Sequence, residues 1–554
     1  MAWVRRLLTV VLTAVIAAPL AVPLVVLARM PGGWSAWAEA GRILGLAANT
    51  LGLAAGTILV AVPAGVVAAV ALGRLRPPGA AGVRALVAVG MFVPLPVYAV
   101  AWQTVLGSWL PPLSLDPGQV AWRPWGQGLL PAAWVHGAAA LPWVVWVTGA
   151  VLRVTDAGLE DDATLLGGPG AVVRLVVLPR LALAAAAAAA WAAVQAATEI
   201  PVTDAMMVRT FAEEVYTQLV GVPAGVAGAV AVTVPVWLVS VGLAALAAGR
   251  LARRFATPSA DPRPARSLRV GPGVRLAAGV ATWAGAGVFA GLPLAALVWK
   301  AGGGSSGSGW ALGTLAGELR TVTRLHGETL AVAVAAAAAT GVATAILALA
   351  ACRAADRSRW FAGFLLTLCV SAWLTPGPLV GFGLKELINR LMDAEDAVLT
   401  SVGVTPTFPP VRSTLYDQPS PLPGVWAAVV RFFPLAVAVC WPAVRAVPGE
   451  LWEAAALDAA GFRGEWQLVT WPFTRPAFVR AAAAVGVLAL GEVSAGKLVA
   501  PPHYRAYILE LFNQMHYGAE AAVAALCLVQ IAATAAAVGV AAWLVNQSRD
   551  RPLL

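Results

Sequence analysis

The chain has 554 residues, of which 60% are hydrophobic and only 12% charged, with a mean hydropathy of +0.79. Soluble proteins carry about 25% charged residues, so the composition excludes an ordinary soluble domain. The net charge of +10 does not call for nucleic acid, because the arginines lie between apolar runs, as in the cytoplasmic loops of membrane proteins.

Apolar stretches of about 20 residues, long enough to span a bilayer as a helix, recur along the chain. They predict twelve spans, near 7–29, 49–73, 84–107, 129–152, 181–200, 222–248, 275–298, 329–351, 360–382, 424–446, 479–498 and 519–545. The first resembles a signal peptide, but its apolar part exceeds the usual core of about 7–15 residues. It reads as a span held N-terminus-in by Arg5 and Arg6. The proline-containing basic segment Arg250 to Arg269 reads as a cytoplasmic linker. It divides the chain into a first half (1–249), a linker (250–270) and a second half (271–554). Gly302 to Gly309, GGGSSGSG, reads as a flexible outside loop. With the N-terminus inside, 24 of the 37 Lys and Arg residues fall on the cytoplasmic side. Both termini are therefore expected in the cytoplasm. Cys352, Cys369, Cys440 and Cys527 lie in or beside spans, without metal-ligand spacing or a disulfide framework.

The halves match each other. Thr50 and Thr329, each followed by Leu, are 279 residues apart. Glu160 and Glu453, Pro179 and Pro472, and Glu199 and Glu492 are each 293 apart. The longer outside loop 383–423, against 108–128, accounts for the change of register. The expected fold is an all-α polytopic membrane protein of about twelve transmembrane helices, arranged as two parallel six-span repeats.

Two long cytoplasmic loops stand at equivalent places. The first, 158–179, reads GLEDDATLLGGPGAVVRLVVLP. The second, 449–472, reads GELWEAAALDAAGFRGEWQLVTWP. Each opens with a helix-forming acidic stretch, continues through glycine, and closes on proline 19 residues after its glutamate. A short surface helix of this kind suits docking into a partner's groove.

Glu453, Ala454, Ala455, Asp458, Gly461 and Pro472 resemble the EAA loop of importer-type ABC transporter permeases. In the first loop Glu160, Gly167 and Pro179 fit, while Asp161 and Asp162 replace the two alanines. In the second loop Ala459 stands where the family has its glycine, and Gly461 follows. The likeness covers essentially the whole chain. It is strongest to fused, double-length permeases of the iron(III) branch, which includes thiamine and phosphonate importers; Thr198 to Leu219 and Gly491 to Met515 look like that branch. The resemblance implies an inner-membrane subunit working with two copies of a cytoplasmic ABC ATPase and an extracytoplasmic solute-binding protein. ATP and magnesium would belong to the ATPase; no cofactor, metal or catalytic residue is expected in this chain.

Ionisable residues within spans are costly and usually functional. Glu199 and Glu492 lie 20 residues beyond the cytoplasmic prolines, about 30 Å along a helix. They are expected near the outer mouth. Asp204 and Lys497, equivalent by register, are candidates for an opposed pair at an outer gate, the alternative being solvated loop residues. Arg431 either snorkels outward or lines the pathway. Tyr216, Tyr504, Tyr507 and Tyr517 suit the membrane interface better than a hard cation site. His503 and His516 lack a third partner at metal-site spacing and receive no role.

GEVSAGKL, Gly491 to Leu498, nearly spells a phosphate-binding loop. Leu498 stands where that loop needs a hydroxyl for magnesium, and an alanine-rich span precedes it in place of a strand. An ion-coupled secondary transporter is the main competitor, since intramembrane carboxylates fit one. A membrane enzyme is disfavoured: the four histidines are scattered, and no HExxH or GxSxG motif occurs.

Overall fold

The computed structural model describes all residues except 1, 111–123, 222–225, 255–261, 265–269, 305–308, 405, 459–460, 518–519 and 550–554. The protein is an all-α membrane protein. Among the described residues, eight helices are long and apolar enough to cross a bilayer: α1 (Trp3–Arg29), α2 (Ala40–Leu75), α5 (Leu129–Leu152), α6 (Gly170–Thr198), α9 (Pro272–Ala301), α10 (Leu312–Asp356), α13 (Leu422–Arg445) and α16 (Glu520–Ser548). Two bent pairs raise the number to ten: α3 (Ala80–Gly90) with α4 (Leu95–Trp109), and α11 (Arg359–Leu374) with α12 (Gly377–Val402). The two remaining expected spans are less clear. In α8 (Val226–Arg254) the apolar part is Ala227–Gly242, and α14 (Trp471–Ala489) carries Arg475 and Arg480. Two short helices, α7 (Phe211–Gly221) and α15 (Tyr507–Gln514), lie between spans. The only strand pairing among the described residues joins Val154–Asp156 to Pro262–Pro264, in the expected linker.

The bent pairs correct two expectations. The sequence at one bend is Val93-Pro94-Leu95-Pro96, and at the other Thr375-Pro376-Gly377-Pro378. Proline cannot donate the helical hydrogen bond, and it forces the preceding residue out of the helical region. The helices therefore turn by 107° and 110° where straight spans were expected. The supposed outside loop 383–423 is in its first part helix, since α12 runs to Val402. Of its counterpart, residues 111–123 lie outside the described residues, as do 305–308 of the glycine-serine segment and most of the linker.

Small residues set the packing. α2, α5 and α6 form one three-helix group, and α10, α13 and α14 another. Gly341 illustrates the close approach: an added Cβ there would collide with the Ala482 carbonyl on α14. In lipid, where hydrophobic burial drives little association, such backbone contact supplies the attraction.

The first helix of each half packs on the other half. Leu8, Leu12, Ile16 and Leu20 of α1 are buried among Phe361, Val380, Leu384 and Val430. The Trp426 indole donates to the Val15 carbonyl at 2.7 Å. Reciprocally, Ala296 of α9 is buried with Tyr98, Trp102 and Ala138, and Phe289 stacks on Trp134 with ring centroids 5.6 Å apart. The halves are thus clasped together, with α6, α13, α14 and the two bends facing one another at the centre.

Candidate functional site

Both candidate coupling loops begin as helices, and a glycine of positive φ follows in each. In Ala157–Val172 the break falls at Gly167 and Gly168. Gly167 has an extended φ of −173°, which any residue adopts. Gly168, with φ 65° and ψ −155°, is the residue that must be glycine. The conformational demand therefore lies one residue after the expected position. The second loop forms Gly449–Leu457 and Gly461–Gly464. Gly461, which opens the second of these, has φ 60°, a left-handed conformation that favours glycine. Ala459 lies outside the described residues. Pro179 and Pro472 each stand in the first turn of the α-helix that follows a wider π-turn, Val173–Val177 and Glu465–Thr470. The π-turn absorbs the hydrogen bond that proline cannot make.

The loops are anchored differently. Glu160 is buried and accepts from Arg74 at 2.6 Å. Arg353 lies 279 residues after Arg74, in the register of the Thr50–Thr329 match. It does not meet Glu453. It pairs with Glu465 at 2.6 Å, and its guanidinium lies 3.5 Å over the Trp452 ring. Arg357 also pairs with Glu465. Glu453, Ala454 and Asp458 are exposed and Ala455 is half-buried. Leu165 and Leu166 in the first loop and Leu457 in the second are 87%, 78% and 87% exposed. Sequence reading passed over both arginines, although the repeat register could have linked them.

At the far end of α6 and α14 the two halves share an ionic cluster. Arg431 reaches inward, to Glu199 of the first half and to Glu492 of the second, the latter at 3.4 Å. It does not snorkel. The Ser494 hydroxyl donates to Glu199 at 2.5 Å. Glu492 accepts the backbone N–H groups of Ala495 and Gly496 at 2.9 and 2.7 Å. It thereby satisfies two N–H groups at the start of the single turn Gly496–Val499. Both bends touch the cluster: a Cβ on Gly377 would strike Arg431 and Ser494, and one on Gly491 would lie 2.8 Å from Pro94. Each carboxylate thus keeps charged or N–H partners, as burial requires.

The expected Asp204–Lys497 pair does not form. The Lys497 ammonium donates to Asn513 and lies 4.7 Å over the Phe512 ring. Asp204 instead meets His516 Nε2 at 2.9 Å, while His516 Nδ1 faces the Phe512 carbonyl at 2.8 Å. With an acceptor on each ring nitrogen, His516 is best satisfied as imidazolium. Its pKa is raised, first by the hydrogen bond to Asp204. Nearby, the Glu213 carboxylate is buried; its Oε1 accepts from the Thr217 hydroxyl at 2.9 Å and its Oε2 has no partner. Burial, and next the charge of Asp204, push its pKa up to about 7. Metal-site spacing gives His516 no role, and this partner, 312 residues away in sequence, is not legible from spacing. Of the tyrosines, Tyr507 is buried and donates to the Leu526 carbonyl at 2.9 Å, Tyr216 packs against the same apolar cluster, and Tyr517 is exposed.

Fold and site together define a class: an all-α membrane protein with a partly buried ionic cluster where its two halves meet. No family model, characterised protein or solved structure compared with the chain matches it.

Proposed function

We propose that the chain is the membrane-spanning permease of an ATP-driven ABC importer, with twelve spans in two six-span repeats. It sits in a bacterial inner membrane with both termini in the cytoplasm. Its cargo is iron(III) or a related small solute delivered by an extracytoplasmic binding protein, and two copies of a cytoplasmic ATPase supply the energy. The observation that carries this reading is the pair of loop helices: each is anchored at its root by a buried arginine, yet presents nearly fully exposed leucines. Exposed apolar side chains beside acidic ones suit a partner's groove. Movement of the ATPases would pull both loops and shift the balance between inward-open and outward-open states.

A second reading, an ion-coupled transporter, is favoured by the partly buried Glu199 and Glu492. Uptake measured in cells separates the two. Loss of uptake on ATP depletion, with persistence after the proton gradient is dissipated, supports the importer. The reverse pattern overturns it.

A further inference from the structure

We infer that the cavity between the halves is a transit site for an organic cation with a flat apolar body. The inference rests on the transporter reading for its role in uptake, but not for binding itself. The cavity has a volume of about 340 Å³ and is lined by Trp143, Trp191, Gln195 and Glu199 from the first half and by Trp373 and Arg431 from the second. That volume falls in the range of small-molecule sites, about 300–1,000 Å³.

The wall chemistry selects the ligand. Trp143 and Trp191 have ring centroids 5.0 Å apart, and Trp191 stacks on Trp373 at 5.7 Å. Three indoles from two halves thus form one continuous aromatic wall. Indole faces attract cations and pack against flat rings. The adjoining cluster has two carboxylates, Glu199 and Glu492, against one guanidinium, Arg431. Its formal balance also favours a positive guest. The Trp191 Nε1 and the Gln195 Oε1 are buried without a protein partner, leaving one donor and one acceptor unused in the wall. A bare metal ion such as iron(III) fits this cavity less well, so the inference narrows the importer's cargo to an organic member of the proposed solutes. The carboxylate oxygens are already engaged by Arg431, Ser494 and two backbone amides. No group of three His, Cys, Asp or Glu residues able to hold a metal occurs among the described residues.

The test is calorimetric titration of the full-length protein in lipid nanodiscs, without ATPase or binding protein. The probes are N-methylquinolinium, neutral 2-methylquinoline and the anion quinoline-2-carboxylate, all at pH 8. The expected result is saturable binding of the cation, at least about tenfold tighter than the neutral probe, with no binding of the anion. Trp191→Ala and Trp373→Ala should each weaken it about 5- to 30-fold. Trp191→Phe, which keeps an aromatic face and the packing, should cost less than about fivefold. Equal affinity for the neutral or anionic probe overturns the proposal, as does absence of saturable cation binding, or equal loss in Trp191→Phe and Trp191→Ala when both unfold cooperatively. ATP-driven uptake without cation binding overturns the site alone. Cation binding without ATP-driven uptake overturns the importer reading and leaves the site standing.

Discussion

Arg74 and Glu160 are 86 residues apart in sequence and form an ion pair of 2.6 Å, with Arg74 only 1% exposed. The pair fastens the first candidate coupling loop to the end of α2. Removing one partner of a buried pair strands the other charge, which costs about 3–5 kcal/mol. Arg74→Met should therefore lower the unfolding midpoint of the detergent-solubilised protein markedly. Arg74→Met combined with Glu160→Leu should recover most of the loss. A double variant as unstable as the single one would show that the pair itself contributes little.

Glu453, by contrast, is exposed, and Gly461 adopts a left-handed conformation. An added Cβ at Gly461 meets nothing within 4 Å, so only the backbone resists substitution. Gly461→Asn should be tolerated and Gly461→Val should not, by about 1–2 kcal/mol of local strain. Glu453→Arg and Gly461→Val are expected to abolish uptake while membrane insertion and expression persist. Transport assays beside quantitative blotting check this, and normal uptake in both variants would contradict the coupling role.

Arg431 holds two carboxylates from opposite halves. Arg431→Met leaves them facing each other without a cation. Uptake should fall more than about tenfold, and stability by about 3–5 kcal/mol. Arg431→Lys should rescue poorly, because an ammonium cannot reproduce the planar two-point geometry. Gly377→Ala should act in the same direction, since its methyl would occupy the place of the Arg431 guanidinium and the Ser494 Cβ. Thermal unfolding and uptake, measured on each variant, decide this.

Stability should fall as pH rises from mildly acidic towards neutral and slightly beyond. Glu213 has a folded pKa of about 7, above its ordinary value of 4.5. The unfolded chain loses that proton first, so stability drops between those two values and then levels off. His516 is also raised; its contribution is fully present below its ordinary value and is lost as pH rises through the folded one. Both slopes have the same sign. Glu213→Gln should flatten the profile and, at pH 8, stabilise the protein by on the order of 2 kcal/mol. Unfolding curves of both forms at pH 5.5, 7 and 8 test the sign. Asp204, Glu214 and Arg209 also act around Glu213 and remain intact in this variant.

The sequence by itself determined the membrane class, the positions of most spans, the two acidic loops with their glycines and prolines, and the inward interest of Glu199 and Glu492. These are properties of composition, period and local spacing, which a bilayer reads directly through hydropathy and backbone hydrogen bonding. Only the tertiary structure decided the rest. The bends at Val93-Pro94 and Thr375-Pro376 were visible as Pro-x-Pro, but hydropathy ran through them because the flanking residues are equally apolar. Arg431 could point outward or inward from the same helix; two carboxylates just past the ends of other helices, one of them 232 residues away, hold it inward. Asp204 and Lys497 are equivalent by register, yet His516 and Asn513 stand closer and take them separately. Partner choice among buried charges depends on distances of a few ångströms across helices, and internal register does not carry that information.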